Sequence, residues 1–305
     1  MTNTIILHSL IQHARQRLEH AGIEPVEAAL DAQLLARHAL GGWERGQLIA
    51  NWREPAPAGF VERFDPLVDR RERREPTAYV TGHREFWGIE IEVEPGVLIP
   101  RPETEFIVEE ALARLTPSPE PRTPIREPCP IVQALRIADI GTGSGCLAIA
   151  LARWLPTSHV VATDVSAAAL VIAARNVSRH EVRDRVRLVC CNLLDATAGP
   201  FDLIVSNPPY IPTGDLASLQ PEILNYEPRL ALDAGSDGLD LIRRLVPMAA
   251  SRLVPGGWLV FEFGDGQATS VREIIAAEPR LEVVALRDDL AGIPRIAIAR
   301  RHVNA

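Results

Sequence analysis

The order of hydrophobic and polar residues divides the chain into an amino-terminal part with helical periodicity and a longer part in which strands and helices alternate. Over residues 5–75, apolar side chains recur at the spacing of one helix face, and glycines at positions 22, 41 and 42 interrupt the pattern. The first such face comprises Leu7, Leu10, Ile11, Ala14 and Leu18. This pattern predicts a small helical domain over residues 1–78.

A different pattern joins this part to the rest of the chain. From Tyr79 to Ile99 apolar and polar residues alternate, most clearly in "IEIEV" at 89–93, which predicts a β-hairpin linker over residues 79–100. Further on, prolines are frequent among charged and small residues, and a segment of this composition cannot bury enough surface to order itself. We therefore expect a Pro-rich surface loop over residues 117–134.

After this loop, strand-like and helix-like segments alternate regularly. Strand patterns cover residues 135–140, 160–164, 186–191, 203–205 and 258–263, and helix patterns begin near Gly145, Ser166, Leu239 and Gln267. Such alternation predicts a doubly wound, mostly parallel α/β sheet. Two last strand patterns, at 281–286 and 295–299, are close enough for an antiparallel hairpin at the sheet edge. The expected fold is a seven-stranded sheet in a domain over residues 101–305.

The composition excludes several kinds of chemistry. The net charge is −8, and all 32 basic residues are arginine, because the sequence contains no lysine. Schiff-base catalysis and a lysine-dependent phosphate loop are therefore excluded. Four cysteines and eight histidines show neither metal-ligand spacing nor a disulfide framework, so we expect reduced thiols and no metal. No apolar run reaches the length of a membrane span, and we expect a cytoplasmic protein.

A glycine-rich loop follows the first strand of the predicted sheet, in "ADIGTGSGCLAIALA" at residues 138–152. Only glycine lets the backbone approach a ligand this closely at the carboxyl end of a first strand. The spacing departs from the dinucleotide fingerprint towards the D-x-G-x-G-x-G loop of S-adenosylmethionine enzymes. A turn with glycines for packing alone is the alternative. The residues predicted to bind the cofactor here are Gly141, Thr142, Gly143, Ser144 and Gly145.

Two polar residues at the ends of the next strands extend this predicted site. Asp164 ends the second strand, where an acidic side chain can accept hydrogen bonds from both ribose hydroxyls. Asn192 follows the third strand and is placed to contact an adenine edge through its amide. The alternatives are a helix N-cap for Asp164 and a turn for Asn192. We assign the adjoining Val165 and Leu193 to the same cofactor site.

The sequence Asn-Pro-Pro-Tyr at residues 207–210 follows the fourth strand, which in this topology neighbours the first strand. A planar amide nitrogen is a poor nucleophile because its lone pair is delocalised. The side-chain oxygen of Asn207 and the carbonyl of Pro208 can each accept one N–H and hold the nitrogen towards a sulfonium methyl group. Tyr210 would lie against the planar group, and Pro209 stiffens the turn. We predict catalytic roles for Asn207, Pro208 and Tyr210, substrate binding by all four residues, and a cofactor contact for Asn207.

Together with further segments, these motifs resemble the peptide chain release factor glutamine N5-methyltransferases. The segments are "RREPTAYVTGHREFWGIEIEVEPGVLIPRPETE" (73–105), "DIGTGSG", "SNPPYI", "YEPRLAL" (226–232), "DGLDLIRRL" and "DLAGIPRIAIAR" (289–300). The resemblance implies a class I methyltransferase that uses S-adenosylmethionine to methylate the glutamine amide nitrogen of a Gly-Gly-Gln loop. It also implies that residues 207–210 bind this amide and that the helical domain docks the release factor.

The resemblance assigns a further role and marks one departure. In "PRPETE", it places Arg101, Glu103 and Thr104 on a segment that covers the cofactor. The alternative is an ordinary helix start, with Pro102 in the first turn and acidic residues near the helix amino terminus. Family members often have aspartate where this chain has Asn192, although an amide oxygen can still accept a hydrogen bond from an exocyclic N–H.

Several other functions remain open from the sequence. A related glutamine methyltransferase would act on a ribosomal protein, and a catalytically silent module would bind S-adenosylmethionine only. An adenine-N6 DNA methyltransferase needs a cationic path for nucleic acid, whereas residues 1–85 contain eleven Arg against twelve Asp and Glu. We therefore expect a monomer whose partners are release factors, with no direct nucleic-acid or membrane contact.

Overall fold

The chain forms two compact units in a computed structural model, which describes residues 6–115 and 134–303. One unit contains the chain up to His83 together with Gln220–Tyr226, and the other contains the remainder from Arg84 onwards. Nearly all of the predicted Pro-rich loop at 117–134 lies outside the described residues. No helix in the described part is long and apolar enough to cross a membrane.

The first unit is helical. Its helices are α1 (Leu7–His20), α2 (Pro25–Ala39), α3 (Arg45–Ala50), α4 (Phe60–Glu72), α5 (Thr77–Thr81) and α9 (Pro221–Tyr226). Helix α1 buries Leu7, Ile11, Ala14 and Leu18, which is the face given by its sequence period. Phe60 and Phe64 stack with their ring centroids 4.8 Å apart in the core of this unit. Hydrophobic burial along one stripe per helix thus holds the unit together.

A buried arginine connects three helices of this unit. The Arg71 side chain is 1% exposed, and its guanidinium donates to Asp31 (2.7 Å), Glu222 (2.7 Å) and Glu27 (2.9 Å). Arg74 donates to both carboxylate oxygens of Glu222. The planar fork of arginine suits several carboxylates at once. This network fixes α9, which is distant in sequence, against α2 and α4.

The alternating segment after these helices forms a hairpin that is shorter than its sequence pattern suggests. Its strands are β1 (His83–Phe86) and β2 (Ile89–Glu92). Residues 79–81, which the alternation assigns to the hairpin, belong to α5, which Gly82 ends with a φ of +82°. A single helical turn that buries two neighbouring residues cannot be distinguished from a strand by its short sequence pattern.

The second unit contains the α/β elements. Its strands are β3 (Arg136–Ile140), β4 (His159–Asp164), β5 (Val186–Cys190), β6 (Phe201–Ser206), β7 (Leu253–Glu262), β8 (Leu281–Asp288) and β9 (Pro294–Arg301). Its helices are α6 (Glu105–Leu115), α7 (Cys146–Trp154), α8 (Ala167–Arg179), α10 (Asp240–Arg252) and α11 (Ala268–Ala276). Short 3₁₀ turns cover Pro102–Thr104, Thr213–Ser218 and Arg229–Ala231.

The described strands β3 to β9 form one sheet with the order β5-β4-β3-β6-β7-β9-β8. The first five strands in this order are parallel, and β9 is antiparallel to both β7 and β8. This arrangement confirms the predicted doubly wound sheet with an antiparallel terminal hairpin. The chain builds outwards from β3 to β5 and then returns to β6 on the other side of β3. A crevice therefore opens at the carboxyl ends of β3 and β6.

The register of these two strands places the predicted loops side by side. Ile140 of β3 pairs with Ser206 of β6, so the glycine loop and Asn207 leave the sheet at the same level. Both strands are covered on both faces, which explains their nearly continuous apolar sequences. Asp139 in β3 and Glu262 at the end of β7 are fully buried exceptions. Buried charges of this kind need partners, and these two lie beside the crevice.

Candidate active site

The glycine loop forms a cradle at the carboxyl end of β3. Gly141 and Gly143 have φ angles of +71° and +54°, and a Cβ built on either would meet no atom within 4 Å. Both residues line the cavity described below. Gly145 differs, because a Cβ there would lie 3.4 Å from Ala173 and Ile149. The first two glycines therefore keep the backbone open towards a ligand, and the third lets α7 pack closely.

A cavity of about 460 Å³ occupies the crevice, a size typical of small-molecule sites. The predicted site residues that line it are Gly141, Thr142, Gly143, Ser144, Asp164, Val165, Asn192, Leu193, Asn207, Pro209 and Thr104. The predicted residues that do not line it are Gly145, Pro208, Tyr210, Arg101 and Glu103. The structure thus brings most of the predicted cofactor residues together around one cavity.

Two backbone donors hold the carboxylate of Asp164 at the cavity wall. Its Oδ2 atom accepts from the Gly143 N–H at 2.9 Å, and Oδ1 accepts from the Ser166 N–H at 2.8 Å. Ser166 itself caps α8 by accepting from the Ala169 N–H. Because Ser166 fills the capping position, Asp164 is not needed as the N-cap. A ribose contact for Asp164 remains a prediction.

The segment after β5 forms another part of the wall. Asn192 is exposed at the cavity, and Leu193 is buried with a φ of +49°. A non-glycine residue in the left-handed region is uncommon, and such conformations concentrate at ligand sites. Asn192 thus lines the cavity, while a contact of its amide with an adenine ring remains a prediction.

A chain of hydrogen bonds determines how Asn207 presents its amide. The Asn207 Nδ2 atom donates to Thr104 Oγ1 at 2.8 Å, and the Thr104 hydroxyl donates to Glu262 Oε2 at 2.7 Å. The Tyr210 hydroxyl donates to the other oxygen of Glu262 at 3.0 Å. The amide nitrogen of Asn207 is thus committed to Thr104. Its oxygen is the acceptor that Asn207 offers to a ligand.

Burial changes the pKa values of the ionisable groups in this hydrogen-bond chain. It raises the pKa of Glu262 to about 7, although the hydrogen bonds from Thr104 and Tyr210 act in the opposite direction. Burial, together with the charge of Glu262, also raises the pKa of Tyr210 far above its ordinary value. Tyr210 therefore remains a hydroxyl donor and does not serve as a base. Its hydroxyl is used within the protein, and a contact of its ring with a substrate remains a prediction.

The Asp139 carboxyl group lies directly under the glycine loop. Its Oδ2 atom accepts from the Thr142 hydroxyl at 2.6 Å and from the Ala148 N–H at 3.2 Å. Burial raises the pKa of Asp139 to about 7, and the Asp139 Oδ1 atom has no hydrogen-bond partner among residues 6–115 and 134–303. These bonds tie the Thr142 side chain and the first turn of α7 to β3.

The predicted lid segment is held in place by a salt bridge. Arg101 pairs with Glu227 at 2.5 Å, and the second oxygen of Glu227 accepts from the Ile99 N–H at 3.2 Å. Glu227 is almost fully buried. Of the three lid candidates only Thr104 reaches the cavity wall, where it contacts Asn207. A cofactor-covering role for Arg101 and Glu103 remains a prediction.

Sequence reasoning missed Glu262 and Glu227. The signal for Glu262 was a single carboxylate inside the apolar run "WLVFEF", because a charge in a buried strand needs a partner. Glu227 lies in "YEPRLAL", a segment to which the resemblance assigns no role. The Thr104 partner of Glu262 and the Arg101 partner of Glu227 are each more than a hundred positions away, so no local pattern could identify them.

The chemistry of the cavity fits a nucleoside-bearing methyl donor. The glycine cradle leaves space beside the backbone for a ligand, and the side chains of Asp164 and Asn192, which line the cavity, carry oxygens that can accept from hydroxyl and amino groups. The Thr163 hydroxyl, at the same wall, is buried and has no hydrogen-bond partner within the described part of the chain. A polar ligand would satisfy such a group.

The doubly wound sheet, the glycine loop and the Asn-Pro-Pro-Tyr turn beside it define a methyltransferase. Two family models match the chain, "PrmC N-terminal domain" over residues 9–82 and "Methyltransferase small domain" over residues 129–225. A methyltransferase structure from Pyrococcus furiosus shares the fold with a TM-score of 0.50 and 19% identity, over 70% of this chain and 90% of that one.

Curated relatives define the family more closely. A release factor glutamine methyltransferase of Geobacter sulfurreducens is 44% identical over 87% of this chain and 86% of its own length. Its counterpart in Bradyrhizobium diazoefficiens is 41% identical over 93% of this chain and 91% of its own length. The chain therefore belongs to the release factor glutamine methyltransferase family, which confirms the resemblance found in the sequence.

Proposed function

We propose that this protein methylates the side-chain amide nitrogen of the glutamine in the Gly-Gly-Gln motif of peptide chain release factors, with S-adenosylmethionine as the cofactor. Family membership supports the reaction class and the substrate. The observation that carries the proposal is the orientation of Asn207, whose amide nitrogen is taken by Thr104 next to the glycine cradle. An amide oxygen is thereby offered to an N–H donor beside the cofactor cavity.

S-adenosylmethionine, when bound, supplies an electrophilic methyl group on a sulfonium. The glycine loop at 141–145 would let the cofactor lie close against the protein backbone. Asp164 would accept hydrogen bonds from its ribose, and Asn192 would contact its adenine. Val165 and Leu193 line the same part of the cavity and would cover the apolar faces. These residues bind and orient the donor, and none of them transfers a proton.

The protein activates the substrate amide by holding its nitrogen in position. Asn207 Oδ1 and the Pro208 carbonyl oxygen each accept one N–H of the substrate amide, which turns the nitrogen lone pair towards the donor. As the carbon–nitrogen bond forms and the bond from the methyl carbon to the sulfonium sulfur breaks, both oxygens would stabilise the positive charge that develops on nitrogen, and one amide proton would then leave for solvent. The ring of Tyr210 supports the planar group, since its hydroxyl is committed to Glu262. Pro209 lines the cavity beside Asn207 and would contact the same group.

The direct test is mass spectrometry of a release factor after incubation with the protein and a labelled methyl donor. We expect one methyl group on the glutamine of the Gly-Gly-Gln motif, and no label on a release factor in which this glutamine is replaced by alanine. Label on a ribosomal protein alone would support the related glutamine methyltransferase. Donor binding without transfer to either protein would support a silent cofactor-binding module.

The adenine methyltransferase alternative has a separate test. Residues 1–85 have nearly balanced charge, with eleven Arg against twelve Asp and Glu, and do not form the basic footprint that nucleic-acid binding requires. Methyl transfer to adenine in DNA, with salt-sensitive binding, would contradict our proposal. We further infer a monomer that acts in the cytoplasm, where release factors work on ribosomes.

The helical unit carries an apolar surface stripe that suits protein docking. Val26, Leu30 and Leu34 follow one another at four-residue spacing on α2, with 76%, 54% and 43% of their surfaces exposed. Contiguous exposed aliphatic residues mark interaction surfaces. Because the curated relatives act on release factors by name, we assign this stripe to the release factor body.

Replacing the three stripe residues by serine should raise the KM for intact release factor about tenfold or more. Each buried aliphatic side chain contributes roughly 1.5–3 kcal/mol, and about 1.4 kcal/mol corresponds to a factor of ten. The KM for a short Gly-Gly-Gln peptide should not change, because such a peptide has no body to dock. Val171→Ser, at an exposed position of α8, is the matched control. Equal effects on protein and peptide substrates would exclude this surface.

Replacing Asp164 by alanine should weaken S-adenosylmethionine binding roughly ten- to a hundredfold, because hydrogen bonds to a charged group contribute roughly 1.5–3 kcal/mol. Calorimetry on the purified protein measures this directly. Turnover at saturating cofactor should fall much less. Asp184→Ala, at an exposed position, controls for loss of charge. Normal affinity with poor turnover would contradict the ribose assignment.

A further inference from the structure

We infer that Thr104 is a positioning residue that, together with the Glu262 carboxylate, fixes the direction of the hydrogen-bond chain to Asn207 and thereby makes the site select glutamine over glutamate. This inference rests on the proposed function and adds a source of substrate specificity to it. Thr104 is 2% exposed and Glu262 is 1% exposed, so both act inside the protein.

The number of protons that each group can donate sets the direction of the hydrogen-bond chain. A carboxylate can only accept, and the two oxygens of Glu262 accept from the Thr104 and Tyr210 hydroxyls. A threonine hydroxyl has a single proton, and Thr104 uses it on Glu262. Towards Asn207, the Thr104 oxygen can then only accept a hydrogen bond. Asn207 must therefore turn its NH₂ group to Thr104 and its oxygen away from it.

This direction has a consequence for the substrate. A glutamine side chain brings an NH₂ group to the site, and an asparagine oxygen accepts from it. If the Asn207 amide were turned over, its NH₂ group would face the NH₂ group of the substrate, and neither could accept. A glutamate carboxylate has the opposite preference, because it needs donors. The fixed Asn207 amide thus binds a substrate amide and rejects a substrate carboxylate. Both effects increase the selectivity for glutamine.

The orientation of the Asn207 amide also depends on the charge of Glu262. A neutral Glu262 carries one proton of its own, so either Thr104 or Tyr210 must accept from it. When Thr104 accepts, its hydroxyl proton turns to Asn207 and reverses the amide. Burial raises the pKa of Glu262 to about 7, the nearby Glu103 raises it further, and Arg295 on β9 lowers it, as do the two hydroxyl partners. Below about pH 7 the neutral form therefore predominates, and the orientation of the Asn207 amide is no longer fixed.

The first experiment compares Thr104→Val, which keeps the shape and removes the hydroxyl, with Thr104→Ser, which keeps the hydroxyl. With a Gly-Gly-Gln peptide at saturating cofactor, we expect Thr104→Val to lower kcat on the order of tenfold, since losing one net hydrogen bond amounts to roughly that factor. Thr104→Ser should restore most of the activity. Thr269→Val, at an exposed position of α11, is the matched control.

The decisive readout is the ratio of two affinities. A Gly-Gly-Glu peptide serves as a competitive inhibitor, and its inhibition constant is compared with the KM of the Gly-Gly-Gln peptide. The wild-type protein and Thr104→Ser should favour the glutamine peptide strongly, and Thr104→Val should lose about tenfold of this preference. A merely structural defect would weaken both peptides alike. An unchanged ratio in Thr104→Val would overturn the inference.

The second experiment uses pH. Activity of the wild-type protein on the glutamine peptide should rise as pH passes through about 7, because Glu262 becomes ionised. In Glu262→Gln this rise should be absent and activity should stay low, since a carboxamide leaves one oxygen acceptor and one donor for the two hydroxyls. Persistence of the same rise in Glu262→Gln would contradict the role of the carboxylate. If the wild-type protein methylates neither peptide nor release factor, the proposed function fails instead.

Discussion

Replacing Asn207 by alanine is expected to lower kcat by at least about 10²–10³, the usual effect of removing one preorganised polar group that stabilises developing charge. The alanine variant lacks the oxygen that we propose to accept from the substrate amide, and the Pro208 carbonyl alone would not hold the nitrogen in line with the donor. Single-turnover methylation of a Gly-Gly-Gln peptide measures the effect. Asn225→Ala, at an exposed position of α9, is the control.

The effect on cofactor binding separates this prediction from a general loss of structure. Asn207 lines the cavity, and we expect the glycine cradle and Asp164 to remain intact in the variant. S-adenosylmethionine affinity should therefore fall much less than turnover. A variant that retains wild-type turnover would show that another group orients the acceptor, and the mechanism above would be wrong.

Replacing Arg71 by methionine is expected to destabilise the helical unit by about 3–5 kcal/mol, the range for removing one partner of a buried charge network. The substitution leaves Asp31 and Glu222 without the guanidinium that now donates to both. Although burial raises the pKa of Glu222, the hydrogen bonds from Arg74 and Arg71 outweigh this and hold the pKa below its usual value. Ionised Glu222 is therefore stabilised by the folded unit.

Hydrogen exchange of the α1, α2 and α4 amides measures this free energy of unfolding for the helical unit alone, which a whole-chain transition would not isolate. The sign of the pH dependence follows from the lowered pKa of Glu222. Its stabilising effect is present above the unfolded pKa, roughly 4.3, and is lost as pH falls through the lower folded value. The difference between wild type and Arg71→Met should therefore shrink in acid.

A matched control for this variant is Arg15→Met, which removes a more exposed ion pair with Glu19 on α1. Exposed pairs of this kind contribute about 0–1 kcal/mol. If Arg71→Met exchanged no faster than Arg15→Met, the buried network would not hold the helical unit together. We expect α9 to exchange fastest in Arg71→Met, because the ion pair of Glu222 with Arg71 attaches α9 to α4.

The sequence by itself determined the sheet and most of the cofactor cavity. Nearly continuous apolar runs identified strands such as β3 and β6, because a strand buried on both faces must be apolar throughout. The topological rule for doubly wound sheets then placed the glycine loop next to Asn207, and the register confirms this proximity. Chemistry located at strand ends is readable from sequence because the strand pattern shows where each strand ends.

Only the tertiary structure decided which partners orient these residues. Thr104 and Glu262 are separated by 158 positions, and Arg71 and Glu222 by 151 positions, yet each pair shares a hydrogen bond in a buried site. Helical and strand periods indicate which face of an element is buried, but they do not identify the side chain that contacts a buried polar group. Such partners are chosen by the packing of distant segments, where desolvation makes an unpaired polar group costly. The identity of Asn207 was therefore evident from the chain, whereas the direction in which its amide points was fixed only in three dimensions.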